Sequence, residues 1–187
     1  CGGADRGHFP LWEYHPSERS LCVSQMKYQE ERQYIGNRDQ LLKAKRLLMR
    51  EGKAKGVEMI DVQNRSGMHF DVNVSRGMDI PYLDFQGENI GFISPCGVVA
   101  PQYFDDKELG FLKSFTAGFL TTCGLKSAGA PNEYEGKNYG LHGNISHVPA
   151  EEVTCVVEEG DIPSVVITGK VRGDLWPQDA PGERNSV

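Results

Sequence analysis

The chain lacks any run of about 18 apolar residues, so nothing in it reads as a membrane-crossing helix. Its N-terminal residues show no apolar segment of the signal-peptide kind. No two cysteines have Cys-x-x-Cys spacing, and the five present, at positions 1, 22, 96, 123 and 155, are odd in number. Both facts disfavour a disulfide framework or a zinc knuckle, and a cytoplasmic location is the expectation. Internal repeats and low-complexity tracts are missing too. Positive charge is also short: 20 Lys and Arg stand against 26 Asp and Glu, a net charge of −6. Binding to a phosphate backbone usually leaves a basic footprint, so neither nucleic acid nor an anionic membrane surface is an expected partner.

What is present is turn chemistry. Twenty-two glycines and ten prolines in 187 residues suit a β-rich fold better than a helical bundle. The first residue is Cys1 rather than Met, and residues 1–25 have no period, which reads as a disordered or foreign leader. Patterning begins near Met26. Asn37 can cap a short helix through Leu42, and strands are expected over 45–50 and 56–63. Met68, Phe70, Val72 and Val74 alternate with His69, Asp71, Asn73 and Ser75, the clearest period of two in the chain and the mark of a half-buried antiparallel strand. Further strands are expected over 80–85, 89–93, 119–122, 153–158 and 165–171. Asp105 and Asp106 can cap a short helix over 108–115, and 126–139 reads as a polar loop. Strands at this spacing over residues 26–172 suggest an all-β sandwich or barrel, with one or two short helices. Residues 173–187 form an irregular tail.

Four islands between 75 and 150 set polar side chains beside glycines: Ser75-Arg76-Gly77-Met78-Asp79-Ile80, Ser94-Pro95-Cys96-Gly97, Leu120-Thr121-Thr122-Cys123-Gly124-Leu125 and Gly140-Leu141-His142-Gly143. Loops on a rigid scaffold are where binding and catalytic groups concentrate. Cys96 and Cys123 sit in apolar, glycine-flanked strings and read as small buried thiols, with a catalytic thiolate as the sharper alternative. His69 falls on the polar face of its strand, solvated or in a polar layer. His142 and His147 are five apart, which matches neither a helix face nor a common zinc spacing, so no metal is expected.

The segments YIGNRDQL (34–41), GKAKGVEMIDVQN (52–64), SRGMDI (75–80), ISPCGVVAPQYF (93–104), GFLTTCGL (118–125), GLHGNISHVPAEEV (140–153) and VVITGKVR (165–172) carry a family likeness. The chain resembles the aldose 1-epimerase (galactose mutarotase-like) superfamily, and within it a bacterial branch of formerly unknown function. The resemblance covers roughly residues 34–172. It implies a mutarotase-like β-sandwich, truncated to its N-terminal half, and an isomerase that interconverts sugar anomers by acid–base ring opening. A non-catalytic sugar-binding protein on the same scaffold is the alternative. Such an enzyme needs a general base and a general acid but no metal or organic cofactor. Its implied partner is a small-molecule sugar, with a homodimer compatible.

By the same resemblance His142 is the catalytic imidazole, a group able to take either protonation state near neutral pH. Arg76 matches the family's substrate-binding arginine, and its planar fork of donors suits neighbouring hydroxyls. An ion pair with Asp79 is the competing reading for Arg76, and the two are compatible if Asp79 orients an Arg76 that faces the cleft. Asp79, Thr122 and Cys123 are the further substrate-binding candidates, with burial in the strands as the alternative for Thr122 and Cys123. Tyr103 and Phe104 can stack on a sugar or pack in the core. No residue matches the family's base carboxylate.

Overall fold

The computed structural model of the protein describes residues 28–122, 127–134, 136–160 and 162–172. The leader 1–25, the tail 173–187 and Cys123 lie outside the described residues. After a short helix α1 (Tyr28–Arg32), the chain forms β1 (Leu42–Leu48), β2 (Glu58–Asn64), β3 (Met68–Asn73), β4 (Asp79–Phe85) and β5 (Glu88–Asn89). These five pair in sequence order as one antiparallel sheet. Two short ribbons follow, β6 (Phe92–Ile93) with β7 (Ala117–Gly118), and β8 (Asn132–Tyr134) with β9 (Lys137–Tyr139). The last element is the hairpin β10 (Glu151–Glu158) and β11 (Ser164–Lys170). The fold is all-β and sandwich-like, the first of the two architectures that the strand spacing left open.

The period of two decides which side chains meet. Ile60, Val62, Val72 and Val74 point to one face of the sheet and are buried there under Val153, Cys155, Val165 and Ile167 of the hairpin. From Glu152 onward in β10, and throughout β11, exposed and half-buried positions alternate, so one face packs and the other meets water. The opposite face of the sheet is covered only in part. Val57 and Met59 pack there against Val98 and Ala100, which arrive on the segment after β6. The inner strand β2 is thus buried on both faces, with Met59 at 2% and Ile60 at 0% exposure on opposite sides.

Several expectations shift. Asn37 does cap the chain, accepting from the Asp39 N–H at 2.9 Å, but only a 3-10 turn (Arg38–Gln40) follows before β1 begins at Leu42. The expected helix over 108–115 is a 3-10 turn, Gly110–Lys113. The strand over 89–93 is split, because its backbone turns at Gly91 from β4 to β7. A Cβ at Gly91 would lie 2.9 Å from the Phe119 nitrogen. The loop over 126–139 contains the β8–β9 hairpin. Cys96 is not a buried thiol. It is exposed on the Ser94–Gly97 turn, where its thiol donates to the Leu112 carbonyl at 3.4 Å. Among the described residues no helix is long and apolar enough to cross a membrane.

Candidate functional site

The turn between β3 and β4 plants the first island. Arg76 is 2% exposed. Its Nε donates to the Ser146 carbonyl at 3.0 Å, and an Nη donates to the Ser114 carbonyl. Gly77 follows in the left-handed region at φ 57°, with its N–H on the Val148 carbonyl at 2.8 Å. A Cβ there would press within 3.2 Å of both Thr122 and the Ile145 carbonyl, so the position admits glycine on conformational and on steric grounds.

Asp79 and Thr122 close the same knot. The Thr122 N–H donates to Asp79 Oδ1 at 2.6 Å, and the Thr122 hydroxyl donates to the Gly77 carbonyl at 2.8 Å. Burial pushes the Asp79 carboxyl from its ordinary 3.8 up to about 6, against the Thr122 hydrogen bonds and the Arg76 charge, which lower it. Burial likewise pulls the Arg76 guanidinium below its usual range, with the Asp79 charge opposing. Arg76, Asp79 and Thr122 thus lie in one knot, held by hydrogen bonds to backbone atoms, with no ion pair within 4.0 Å between Arg76 and Asp79.

His142 sits on a different loop with unusual backbone, φ 58°, a region sparsely used by residues with a side chain. Such strain persists where the surroundings over-determine it, and it concentrates at functional sites. The surroundings here are specific. Leu141 N–H donates to the Glu108 carbonyl at 2.9 Å, and His142 N–H donates to the Gly129 carbonyl at 2.9 Å. In return the Gly129 N–H donates to His142 Nδ1 at 3.0 Å. A backbone N–H can only donate, so Nδ1 accepts and the neutral ring carries its proton on Nε2. At Gly140 a Cβ would run into the Asp106 carbonyl, which is why the chain can approach that closely only with glycine.

The half-buried His142 ring meets Phe111 edge-on, with centroids 5.1 Å apart. Phe111 belongs to the 3-10 turn that ends at Ser114, the residue whose carbonyl takes the Arg76 Nη. The first and fourth islands thus bear on one short segment, from Phe111 to Ser114. Phe104 stacks on His147 at 3.8 Å between centroids, so neither ring is presented as a free platform. Tyr103 is half exposed.

A second polar cluster lies on the partly covered face of the sheet, and sequence reasoning did not assemble it. His69 bridges two carboxylates, Asp84 from Nδ1 at 3.0 Å and Asp61 from Nε2 at 2.7 Å. Lys43 reaches Asp61 at 3.3 Å. Burial first, then the Asp61 charge, push the Asp71 carboxyl above its ordinary range. Asp61, His69 and Asp71 bring one potential ligand atom each within 4.8 Å of one another, the one metal-compatible grouping among the described residues. Within the protein these groups already serve one another as ion-pair and hydrogen-bond partners. The alternation of β3 placed His69 in a polar layer, but its partners come from β2 and β4, and only the strand register brings them alongside.

Comparison with known proteins adds the following. The chain has a fold similar to a solved protein of Klebsiella pneumoniae subsp. pneumoniae MGH 78578, described as a "putative aldose 1-epimerase", with a TM-score of 0.66 and 24% identity. The likeness covers 73% of this chain and 36% of that one, so this chain spans little more than a third of its length. No curated protein matches. A family model described as a domain of unknown function, DUF4432, matches residues 54–176, more than half of the chain. The chain therefore belongs to the DUF4432 family.

Proposed function

We propose that the chain acts on a neutral sugar as an aldose 1-epimerase-like isomerase, with His142 as its proton-handling group. One observation carries this reading. A half-buried imidazole is fixed through Nδ1 by the Gly129 backbone, which leaves Nε2 as the nitrogen available to a bound molecule. The similarity of fold to the Klebsiella pneumoniae protein supports a sugar-related reaction. In ring opening, a base takes the anomeric hydroxyl proton and an acid protonates the ring oxygen; ring closure reverses both transfers. His142 Nε2 serves one of these transfers. Thr122, with Cys123 beside it, is a candidate for contact with the sugar, next to the polar knot of Arg76 and Asp79.

A second reading, a sugar-binding protein without catalysis, has one observation in its favour. Among the described residues no carboxylate is hydrogen-bonded to His142, whereas ring opening needs two proton-handling groups. NMR exchange spectroscopy on the anomers of D-glucose and D-galactose separates the two. Exchange faster than the spontaneous rate, falling about 10²–10⁴-fold in His142→Ala, is the expected result. Binding without faster exchange favours the second reading. Neither binding nor exchange with any neutral aldose overturns both.

A further inference from the structure

We propose that Arg76 is a positioning residue for His142: it ties together the two backbone turns that hold the imidazole and does not itself meet the sugar. This rests on the reading of His142 as the reacting group. The guanidinium has two acceptors, one before and one after His142 in the chain. Nε donates to Ser146 in the 3-10 turn Ile145–His147, which begins shortly after His142 in the chain. Nη1 donates to Ser114, at the end of the turn whose Phe111 ring meets the imidazole. One planar fork therefore fixes the spacing between the segment packed against His142 and the segment that follows it.

The burial of the acceptors gives this tie its weight. Ser146 is 0% and Ser114 2% exposed, so water cannot replace a lost donor at either carbonyl. Arg76 itself is 2% exposed, which leaves little guanidinium surface for a ligand to reach. The neighbouring hydrogen bonds run the same way. Gly77 N–H holds Val148, and Ala150 N–H holds the Val74 carbonyl at 2.8 Å, so the chain after His142 is laced to the chain around Arg76 at three points. A lysine keeps the charge but not the fork. Its single ammonium lacks the fixed, spread donors needed to span both carbonyls.

The test is Arg76→Lys in the full chain, with three readouts. The first is the ¹⁵N spectrum of the His142 imidazole, assigned by its loss in His142→Asn. The second is affinity for D-glucose and D-galactose. The third is the anomer-exchange rate. The expected result is a change in the Nδ1 and Nε2 signals away from a fixed tautomer, affinity altered less than about threefold, and exchange slowed about a hundredfold, the scale of a misplaced catalytic group.

An unchanged imidazole spectrum with affinity lowered tenfold or more, about 1.4 kcal/mol, would make Arg76 a sugar contact and overturn the proposal. If the wild-type chain neither binds nor converts a sugar, the proposed function fails. The imidazole spectrum then decides the positioning role alone, with a change supporting it and no change ending it. If Arg76→Lys does not fold, native-state hydrogen exchange on the wild type decides. The Ser114 and Val148 amides, which close the two turns through bonds of 3.1 Å each, should exchange with a common opening free energy. Independent opening of the two would refute the tie.

Discussion

The two faces of the five-stranded sheet are stabilised by different physics. On the hairpin side, Ile60, Val62, Val72 and Val74 meet a second apolar layer, and exclusion of water is the driving term. On the other side, apolar packing around Met59 gives way along the same strands to Lys43, Asp61, His69, Asp71 and Asp84, where each group depends on a specific partner. Apolar packing is non-directional and tolerates small shifts, whereas a charged layer is sensitive to geometry and to pH. The loops that carry Arg76 and His142, with Asp79 at the start of β4, extend the second kind of physics beyond the sheet.

The largest effect that would test this contrast is expected from Ile60→Ala. The residue is 0% exposed at the centre of the apolar face, and its loss should cost about 2–5 kcal/mol, read as a shift in the urea midpoint with unchanged slope. A cost under about 1 kcal/mol would show that the hairpin layer is loosely packed.

The next effect is a dependence on pH through Asp79. Its folded carboxyl titrates at about 6, above the ordinary 3.8, so the folded state binds this proton more tightly than the unfolded chain. The stabilisation is fully present below the ordinary value and is lost as pH rises through about 6. Across that window the contribution falls by up to about 3 kcal/mol, at about 1.4 kcal/mol per pH unit. Asp79→Asn should remove this slope, so the difference in unfolding free energy between variant and wild type should widen in the variant's favour from pH 4 to pH 7. A constant difference would mean that Asp79 is ionised throughout.

The smallest expected effect is on the polar face. His69→Ala leaves the Asp61 and Asp84 carboxylates without the ring that lies between them. The side chain is 31% exposed, so water makes good part of the loss and the cost should be about 1 kcal/mol. A much larger cost would make the two faces equal in weight.

Much of the sheet was legible because period two is a local signal. Met68 to Ser75 predicted β3 and sorted its side chains to the correct faces. The turns that hold Arg76 and His142 were also visible as glycine islands. What stayed hidden depends on distance in the fold. The two-residue strands β6 and β7 are too short to show a period. The turn at 110–113 stays tight because Gly110 packs on Asp105, where a Cβ would lie 2.5 Å from the carbonyl oxygen. The anchoring of Arg76 on two carbonyls and of His142 on Gly129 involves backbone atoms, which every residue has, so no side-chain pattern announces it.

Residue 129 both takes the amide proton of His142 and gives its own to the ring. A flip of the imidazole would break this reciprocal clasp, so proton traffic through the side chain is confined to a single nitrogen. A reaction that must move protons at two atoms of one molecule cannot run both through this ring at once. In the proposed ring opening, the second transfer needs either a water relay or another acid–base group.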